Sequence, residues 1–158
     1  MEFRMLSAEY DRDLACLIRT LLKKHHLDIP GTVYYDDGLD HLSEYYQEKP
    51  GIRAYDVLLH EGRLIGGIGL AEFPPIDQCC ELQKLYLAEE VQGQGRGRRM
   101  IAHIEERARE LGYKKMYLET HDNLQAAIHI YEQAGYQSIA RPESVVHSTM
   151  NRFFIKDL

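Results

Sequence analysis

Apolar residues in the first third of the chain recur at helical spacing after one short strand. Residues 3–6 predict that strand, and Ser7 stands where it can N-cap the helix that follows. Leucine or isoleucine then occupies positions 14, 17, 18, 21 and 22, which places these residues on one face of a helix. The helix is expected to end in the cationic stretch 23–26. A second, shorter helix is predicted over residues 39–47.

From residue 54 the pattern changes to that of strands. Residues 54–60 and 64–71 predict a β-hairpin, and residues 80–87 predict the next strand. A glycine-rich loop then leads into a helix that ends at Gly112. The remaining predicted elements are strands at 115–120, 136–139 and 149–155 and a helix over 124–134. The chain, residues 1–158, is therefore expected to form one α/β (α+β) domain with a mixed sheet and helices on both faces.

Composition narrows the function without defining it. The formal net charge of −6 disfavours nucleic acid as a partner, because phosphate binding requires clustered lysine and arginine. No apolar run reaches the roughly 20 residues of a membrane span, and the first residues lack the apolar core of a signal peptide. We therefore expect a cytoplasmic protein with no membrane partner. The three cysteines and eight histidines show no disulfide or metal-ligand spacing, so no metal is expected.

The most informative segment is the loop Val-Gln-Gly-Gln-Gly-Arg-Gly-Arg-Arg at residues 91–99. Glycines let backbone N–H groups converge on one anion, and the following helix adds free N–H groups and a partial positive charge. Arg96, Arg98 and Arg99 supply formal charge. The segment predicts a pyrophosphate site, with a plain glycine-rich turn as the alternative. The segment has no lysine after its last glycine, which a Walker loop requires. It also has no third glycine at the spacing that a dinucleotide-binding fingerprint requires.

The sequence around this loop resembles the GNAT family of acyl-CoA-dependent N-acyltransferases. Gln92, Gly95 and Gly97 match the family's pyrophosphate loop, Q/R-x-x-G-x-G/A. Residues 81–87 look like its central strand, and residues 127–136 look like its second signature, which runs from alanine through tyrosine to Gly-aromatic. The resemblance implies a mostly antiparallel, twisted central sheet and acetyl-CoA as the cosubstrate.

The resemblance also implies individual site residues, each at the position of this sequence that matches the family's motif. The family's asparagine stands seven residues before the tyrosine, whereas Asn123 stands eight before Tyr131, so Asn123 either contacts CoA or caps the following helix. The central strand is expected to bind the acetyl and pantetheine groups through its backbone. The residues that we expect to bind the cosubstrate are Leu85, Tyr86, Leu87, Gln92, Gly93, Gln94, Gly95, Arg96, Gly97, Arg98 and Asn123.

Two catalytic roles are predicted in the same way. Tyr131 matches the tyrosine that acts as general acid toward the CoA thiolate; the alternative is a packing residue of the last helix. Glu81 stands eleven residues before Gln92, as does the general base in the histone-acetylating branch; the alternative is a solvated glutamate at a strand start. Glu72 and Glu119 are lesser candidates for the base.

The acceptor is the least defined part. Tyrosines and carboxylates between residues 34 and 46 fall where relatives cover the acceptor, and they suit a cationic amine. We therefore predict acetyl transfer from acetyl-CoA to a primary amine of a small molecule, with a homodimer as one possible assembly. The alternative is a catalytically silent CoA-binding module with a regulatory or interaction role. A nucleotide-binding Rossmann domain is disfavoured by the loop.

Overall fold

A computed structural model describes residues 1–146 and 148–158. Its seven strands are β1 (Glu2–Met5), β2 (Ala54–His60), β3 (Arg63–Glu72), β4 (Cys79–Leu87), β5 (Lys115–Thr120), β6 (Gln137–Ile139) and β7 (Arg152–Asp157). Its four α-helices are α1 (Ala8–Lys24), α2 (Leu42–Gln47), α3 (Arg96–Glu110) and α4 (Gln125–Gln133). Short 3₁₀ turns lie at Val33–Tyr35, Asp37–His41 and Glu89–Val91.

The strands form one sheet in the order β1-β2-β3-β4-β5-β7-β6. Every neighbouring pair is antiparallel except β4 and β5, which run parallel. The expected mixed, mostly antiparallel sheet is therefore confirmed.

Helices cover both faces of the sheet, as expected. On one face, α1 and α2 pack through Leu14, Ile18 and Leu42 against the buried side chains of Tyr55 and Val57 on β2. On the other face, α3 and α4 pack against β3, β4 and β5; the buried residues there include Met100, Ile104, Ile128, Leu82 and Met116. Successive residues of a strand point to opposite faces, which is why the alternating pattern of β2 serves two cores.

Two predicted elements differ from those in the structure by more than one residue at an end. The second helix is shorter than residues 39–47, because a 3₁₀ turn occupies Asp37–His41 and α2 begins at Leu42. The last strand is displaced toward the C-terminus relative to residues 149–155, since β7 pairs with β5 out to Asp157. Ser7 does stand at the N-cap of α1, but its hydroxyl donates to the Glu9 carboxylate instead of capping a backbone N–H.

Candidate active site

The site is centred on the place where β4 and β5 separate. The two strands pair only from Cys79 to Glu81 and from Lys115 to Tyr117. Beyond that point β4 continues along β3, and β5 continues along β7 as far as Thr120. The two strands therefore diverge and leave a gap in the sheet, which exposes backbone groups that a ligand can bind.

A β-bulge shapes β4 beside this gap. Gln83 pairs with Gly69 and Tyr86 pairs with Gly67, so β4 holds one residue more than β3 over this stretch. Lys84 lies in the bulge with a φ of 51°, the left-handed region that non-glycine residues rarely adopt. The buried Tyr55 donates a hydrogen bond of 2.8 Å from its hydroxyl to the Lys84 carbonyl.

Glycines in β3 make room for the Tyr55 ring. A Cβ atom on Gly69 would lie 2.3 Å from the Tyr55 ring and 2.9 Å from the Ala54 carbonyl oxygen. A Cβ on Gly67 would lie 2.6 Å from the same ring. The ring therefore crosses β3 only because both positions lack a side chain, and its hydroxyl then reaches β4.

The glycine-rich loop connects β4 to α3 and leaves its N–H groups free of side-chain caps. Gly93 and Gly95 have φ of 75° and 72°, which explains glycine at both positions. Gly95 is the N-cap of α3, and no side chain caps that end of the helix. The first-turn N–H groups therefore suit an anion. The Gln92 side chain donates to the Leu87 carbonyl at 2.8 Å and ties the loop to β4.

Gly97 serves packing and not backbone conformation. A Cβ atom there would lie 2.8 Å from Cδ1 of Ile130 on α4. The third glycine of the loop thus lets α3 and α4 approach each other beside the loop.

A cavity of about 440 Å³ runs from the loop to the gap. Arg98 and the loop glycines line one end, and apolar side chains from α1 and α4 line the walls. The expected cosubstrate residues that line it are Leu85, Tyr86, Leu87, Gln92, Gly93, Gly95, Gly97 and Arg98. An anion site that continues into an apolar groove suits a molecule with a pyrophosphate and an extended arm, and so fits CoA.

Three residues expected at the cosubstrate site do not line this cavity. The Arg96 guanidinium donates to the Val91 carbonyl at 2.9 Å and contacts Met1, so it braces the loop from outside. Gln94 lies outside the lining residues. The Asn123 amide donates to the His25 carbonyl at 2.9 Å, and α4 has Leu124 as its N-cap with no side-chain cap, so Asn123 does not cap that helix.

A second cavity of about 180 Å³ opens at the same gap. Glu81, Gln83 and Lys84 of β4 line one side, and Glu119 of β5 and Tyr131 of α4 line the other. The two cavities share five lining residues: Leu22, Leu85, Tyr86, Leu124 and Ala127. A donor in the larger cavity and an acceptor in the smaller one would therefore meet at the gap.

Glu81 lines the smaller cavity with a carboxyl group whose pKa is raised. Burial raises the pKa of its carboxyl group, Glu119 raises it further, and a hydrogen bond of 3.1 Å from the Gln83 amide opposes the rise. Gln83 in turn accepts a hydrogen bond of 2.8 Å from Tyr46 and is thereby oriented. A carboxylate with a raised pKa is a better proton acceptor than an ordinary one.

The two lesser candidates for the general base, Glu72 and Glu119, differ in their hydrogen-bond partners and in their position relative to the smaller cavity. Glu72 accepts hydrogen bonds from Arg53 and Lys49, and the Arg53 guanidinium lowers the pKa of Glu72 to about 2. Glu72 also lies outside the lining of the smaller cavity, so it is poorly placed to accept a proton there. Glu119 does line that cavity, where it accepts hydrogen bonds from Tyr117 and Ser148.

Tyr131 is 5% exposed and packs against Tyr136 and Phe154, with ring centroids 6.0 and 6.3 Å away. Among the described residues its hydroxyl has no hydrogen-bond partner, and burial alone raises its pKa. The residue thus belongs to the core and also lines the smaller cavity.

The tyrosines of the segment expected to cover the acceptor, residues 34–46, line neither cavity, although two residues just before the segment line the smaller one. Thr32 and Val33 line the smaller cavity, whereas Tyr34 and Tyr35 do not. The face of Tyr45 is occupied by the Arg53 guanidinium, 4.0 Å from the ring centroid. In this structure these rings are therefore not arranged to bind a cationic amine in either cavity.

Lys84 is a site residue that sequence reasoning missed. Its side chain lines the smaller cavity from the bulge. The available signal was the spacing of leucines in β4: Leu82, Leu85 and Leu87 break the alternation of a regular strand between 82 and 85.

The sheet with its gap, the uncapped glycine loop and the paired cavities are the features of a protein that binds a pyrophosphate-bearing donor beside a second cavity. The sequence profile of the Acetyltransferase (GNAT) family matches residues 19–136. The chain therefore belongs to the GNAT family of acetyltransferases, whose acyl donor is acetyl-CoA.

Individual relatives agree with this assignment. The chain is 35% identical over 138 residues to the uncharacterized N-acetyltransferase YjgM of Escherichia coli, covering 86% of this chain and 81% of the relative. A GNAT acetyltransferase from Staphylococcus aureus has the same fold, with a TM-score of 0.86, 19% identity and coverage of 99% and 98%. So does the PaiA N-acetyltransferase from Thermoplasma acidophilum, solved with coenzyme A, with a TM-score of 0.78, 19% identity and the same coverage.

Two further observations concern metals and membranes. Within residues 1–146 and 148–158, no group of three or more histidine, cysteine, aspartate or glutamate side chains is arranged to hold a metal ion. In the same part of the chain, no helix combines the length and the apolar character needed to cross a bilayer.

Proposed function

We propose that this acetyltransferase transfers the acetyl group of acetyl-CoA to a primary amine of a small molecule. The observation that supports this most directly is the pair of cavities that meet at the gap between β4 and β5. The larger one ends at the glycine loop, and the smaller one holds Glu81 and Tyr131. The volume of the smaller cavity, about 180 Å³, is sufficient for a small acceptor.

Acetyl-CoA would supply the acetyl thioester. Gln92, the loop glycines and Arg98 would hold its pyrophosphate at the start of α3. The backbone of Leu85 and its neighbours would hold the acetyl and pantetheine groups, because amides along the arm can pair with a strand that has lost its partner.

Glu81 would remove a proton from the acceptor ammonium, directly or through water. Its raised pKa brings its proton affinity closer to what this transfer needs. Tyr131 would donate the proton that the departing thiolate requires, because its hydroxyl has no competing partner among the described residues.

The experiment tests the loop and the reaction together. Titration calorimetry measures acetyl-CoA binding, and release of free thiol over a panel of small amines measures transfer. Gly95→Asp should fold, because aspartate tolerates a positive φ and suits an N-cap, but its carboxylate would repel the pyrophosphate. We expect acetyl-CoA binding to weaken at least tenfold.

Gly51→Asp is the matched control. It adds the same charge at an exposed glycine where a new Cβ meets no atom within 4 Å. Acetyl-CoA binding by Gly95→Asp at the wild-type affinity would contradict the loop assignment. Acetyl-CoA binding without thiol release for any amine would contradict the proposed transfer and favour the silent module.

Two other expectations from the sequence stay predictions. Cell fractionation tests the cytoplasmic location, and light scattering of the purified protein tests the homodimer.

A further inference from the structure

We call the smaller cavity the acceptor cavity, and one lysine that lines it has no partner among the described residues. Lys84 lines this cavity, and its ammonium makes no hydrogen bond or ion pair within the described part of the chain. Other lysines and arginines of the chain differ, since Lys49, Arg53, Arg141 and Arg152 all donate to carboxylates or carbonyls. A buried charge without a partner is costly, so a ligand that brings the opposite charge to it would be stabilised there.

Carboxylates near Lys84 do not neutralise it, and of the two that act on its pKa only Glu81 lines the same cavity. Glu81 and Asp36 are the carboxylates that act on the pKa of Lys84, and neither reaches the 4.0 Å of a salt bridge. Burial outweighs both and lowers the pKa of Lys84. Glu81 and Lys84 therefore form an incomplete ion pair, with cavity space beside it.

We propose that the acceptor is a small amino acid, with its carboxylate bound by Lys84 and its amine directed to Glu81. This inference rests on the proposed function and names its substrate class. A zwitterion completes the open pair, because its ammonium meets the carboxylate and its carboxylate meets the ammonium. A simple amine or a polyamine would instead leave Lys84 unpaired beside a second cation.

The backbone fixes the Lys84 position independently of any ligand. The Tyr55 hydroxyl holds the Lys84 carbonyl, and the bulge adds this residue to the strand beside Glu81 and Gln83. The volume of about 180 Å³ suits a molecule of amino-acid size.

Matched acceptors test this inference. Alanine, methionine and phenylalanine are each compared with the amine that lacks the carboxylate (ethylamine, 3-methylthiopropylamine and phenethylamine) and with the amino-acid amide. Thiol release and the mass of the N-acetyl product are measured. We expect at least one amino acid to exceed its two counterparts by about 10- to 100-fold in kcat/KM, as for a hydrogen bond between charged groups.

Variants assign the preference to Lys84. Lys84→Met keeps the length of the side chain and removes its charge, so it should raise KM for the amino acid by a similar factor and abolish the preference. Acetyl-CoA affinity should not change, and Lys84→Arg should retain part of the preference. Lys114→Met, at an exposed lysine before β5, is the control that should match the wild type.

The outcomes separate the two proposals. If the amines without a carboxylate are acetylated as efficiently as the amino acids, or if Lys84→Met keeps the preference, the amino-acid inference is wrong and the transferase proposal stands. If no acceptor in any set yields product while acetyl-CoA binds, the proposed transfer is wrong and the inference falls with it.

Discussion

Replacement of Tyr131 by phenylalanine separates catalysis from packing. The phenylalanine ring preserves the contacts with Tyr136 and Phe154, because both are made by the aromatic ring. The change removes only a hydroxyl that lines the acceptor cavity and has no hydrogen-bond partner among the described residues.

The structure predicts a large effect of Tyr131→Phe on activity and a small effect on stability. A general acid contributes on the order of 10²- to 10⁴-fold in rate, so kcat should fall by that factor, which corresponds to about 3–5 kcal/mol of barrier. The free energy of unfolding should change by less than about 0.5 kcal/mol, because no hydrogen bond is broken and a buried unpaired hydroxyl stabilises nothing.

Tyr55→Phe is the matched control, since it removes a hydroxyl that does form a hydrogen bond. Its loss leaves the Lys84 carbonyl without that donor and should destabilise the fold by about 1–3 kcal/mol. For a domain of this size, that is roughly 2–10 °C in Tm. Tyr131→Phe should shift Tm by no more than about 2 °C.

Steady-state kinetics with saturating acetyl-CoA and thermal unfolding of both variants provide the assay. A donor with a better leaving thiolate should recover part of the loss in Tyr131→Phe, because that sulfur needs the proton less. Wild-type kcat in Tyr131→Phe would refute the reasoning: the proton would then come from water or another group, and Tyr131 would be a core residue only.

Three other predictions concern the base, the bulge and acid stability. Glu81→Gln should lower kcat/KM chiefly at neutral pH and less at high pH, where the acceptor amine is already deprotonated. An equal loss at every pH would indicate that Glu81 positions the acceptor. The control is Glu143→Gln, at an exposed glutamate. Gly69→Ala should destabilise the fold by about 1–3 kcal/mol in chemical denaturation, since its Cβ would meet the Tyr55 ring and the Ala54 backbone, whereas Gly51→Ala should not. Because Arg53 lowers the pKa of Glu72 from 4.5 to about 2, the stability from this pair is present above about pH 4.5 and is lost as the pH falls toward 2; acid unfolding of Glu72→Gln should lack this contribution.

The sequence predicted elements best where local signals decide them. Lys115–Thr120 and Ala54–His60 have the predicted bounds, and the second strand of the hairpin is longer than predicted by one residue at each end. Helix α3 ends beside Gly112, whose φ of 90° is the conformation that a helix C-terminus favours. In these places the hydrophobic periodicity and the position of the glycine indicate the same element bounds.

Elements defined by distant partners were predicted less well. Helix α2 begins where the Ser43 N–H donates to the Asp11 carboxylate at 2.9 Å, a cap supplied by α1 from 32 positions away. Strand β7 extends to Asp157 because β5 pairs with it there and Lys115 bonds the Asp157 carboxylate at 2.6 Å. Tertiary contacts such as these have no signature in a local window.

The same distinction applies to the candidate site, where local motifs indicate one part and distant contacts define the other. Of the eleven residues expected to bind the cosubstrate, eight line the larger cavity, and motif spacing is sufficient to indicate them because the loop is local in sequence. The surroundings of the smaller cavity depend on distant contacts: the Arg53 guanidinium stacks on the Tyr45 ring, and Lys84 enters the lining from a bulge. No propensity favours lysine at positive φ, so only the fold explains Lys84.

The bulge explains how one strand serves both cavities. Before it, Leu82 packs toward α3 and α4 while Glu81 and Gln83 line the acceptor cavity. The extra residue then shifts the alternation, so that Leu85 and Leu87 pack on the α3 and α4 side and Lys84 lines the acceptor cavity next to Gln83. A regular strand would alternate sides and separate Lys84 from Glu81 and Gln83. The bulge that Tyr55 holds therefore brings a lysine and a glutamate of one strand into the lining of the same cavity, and this placement is the basis of the proposed amino-acid acceptor.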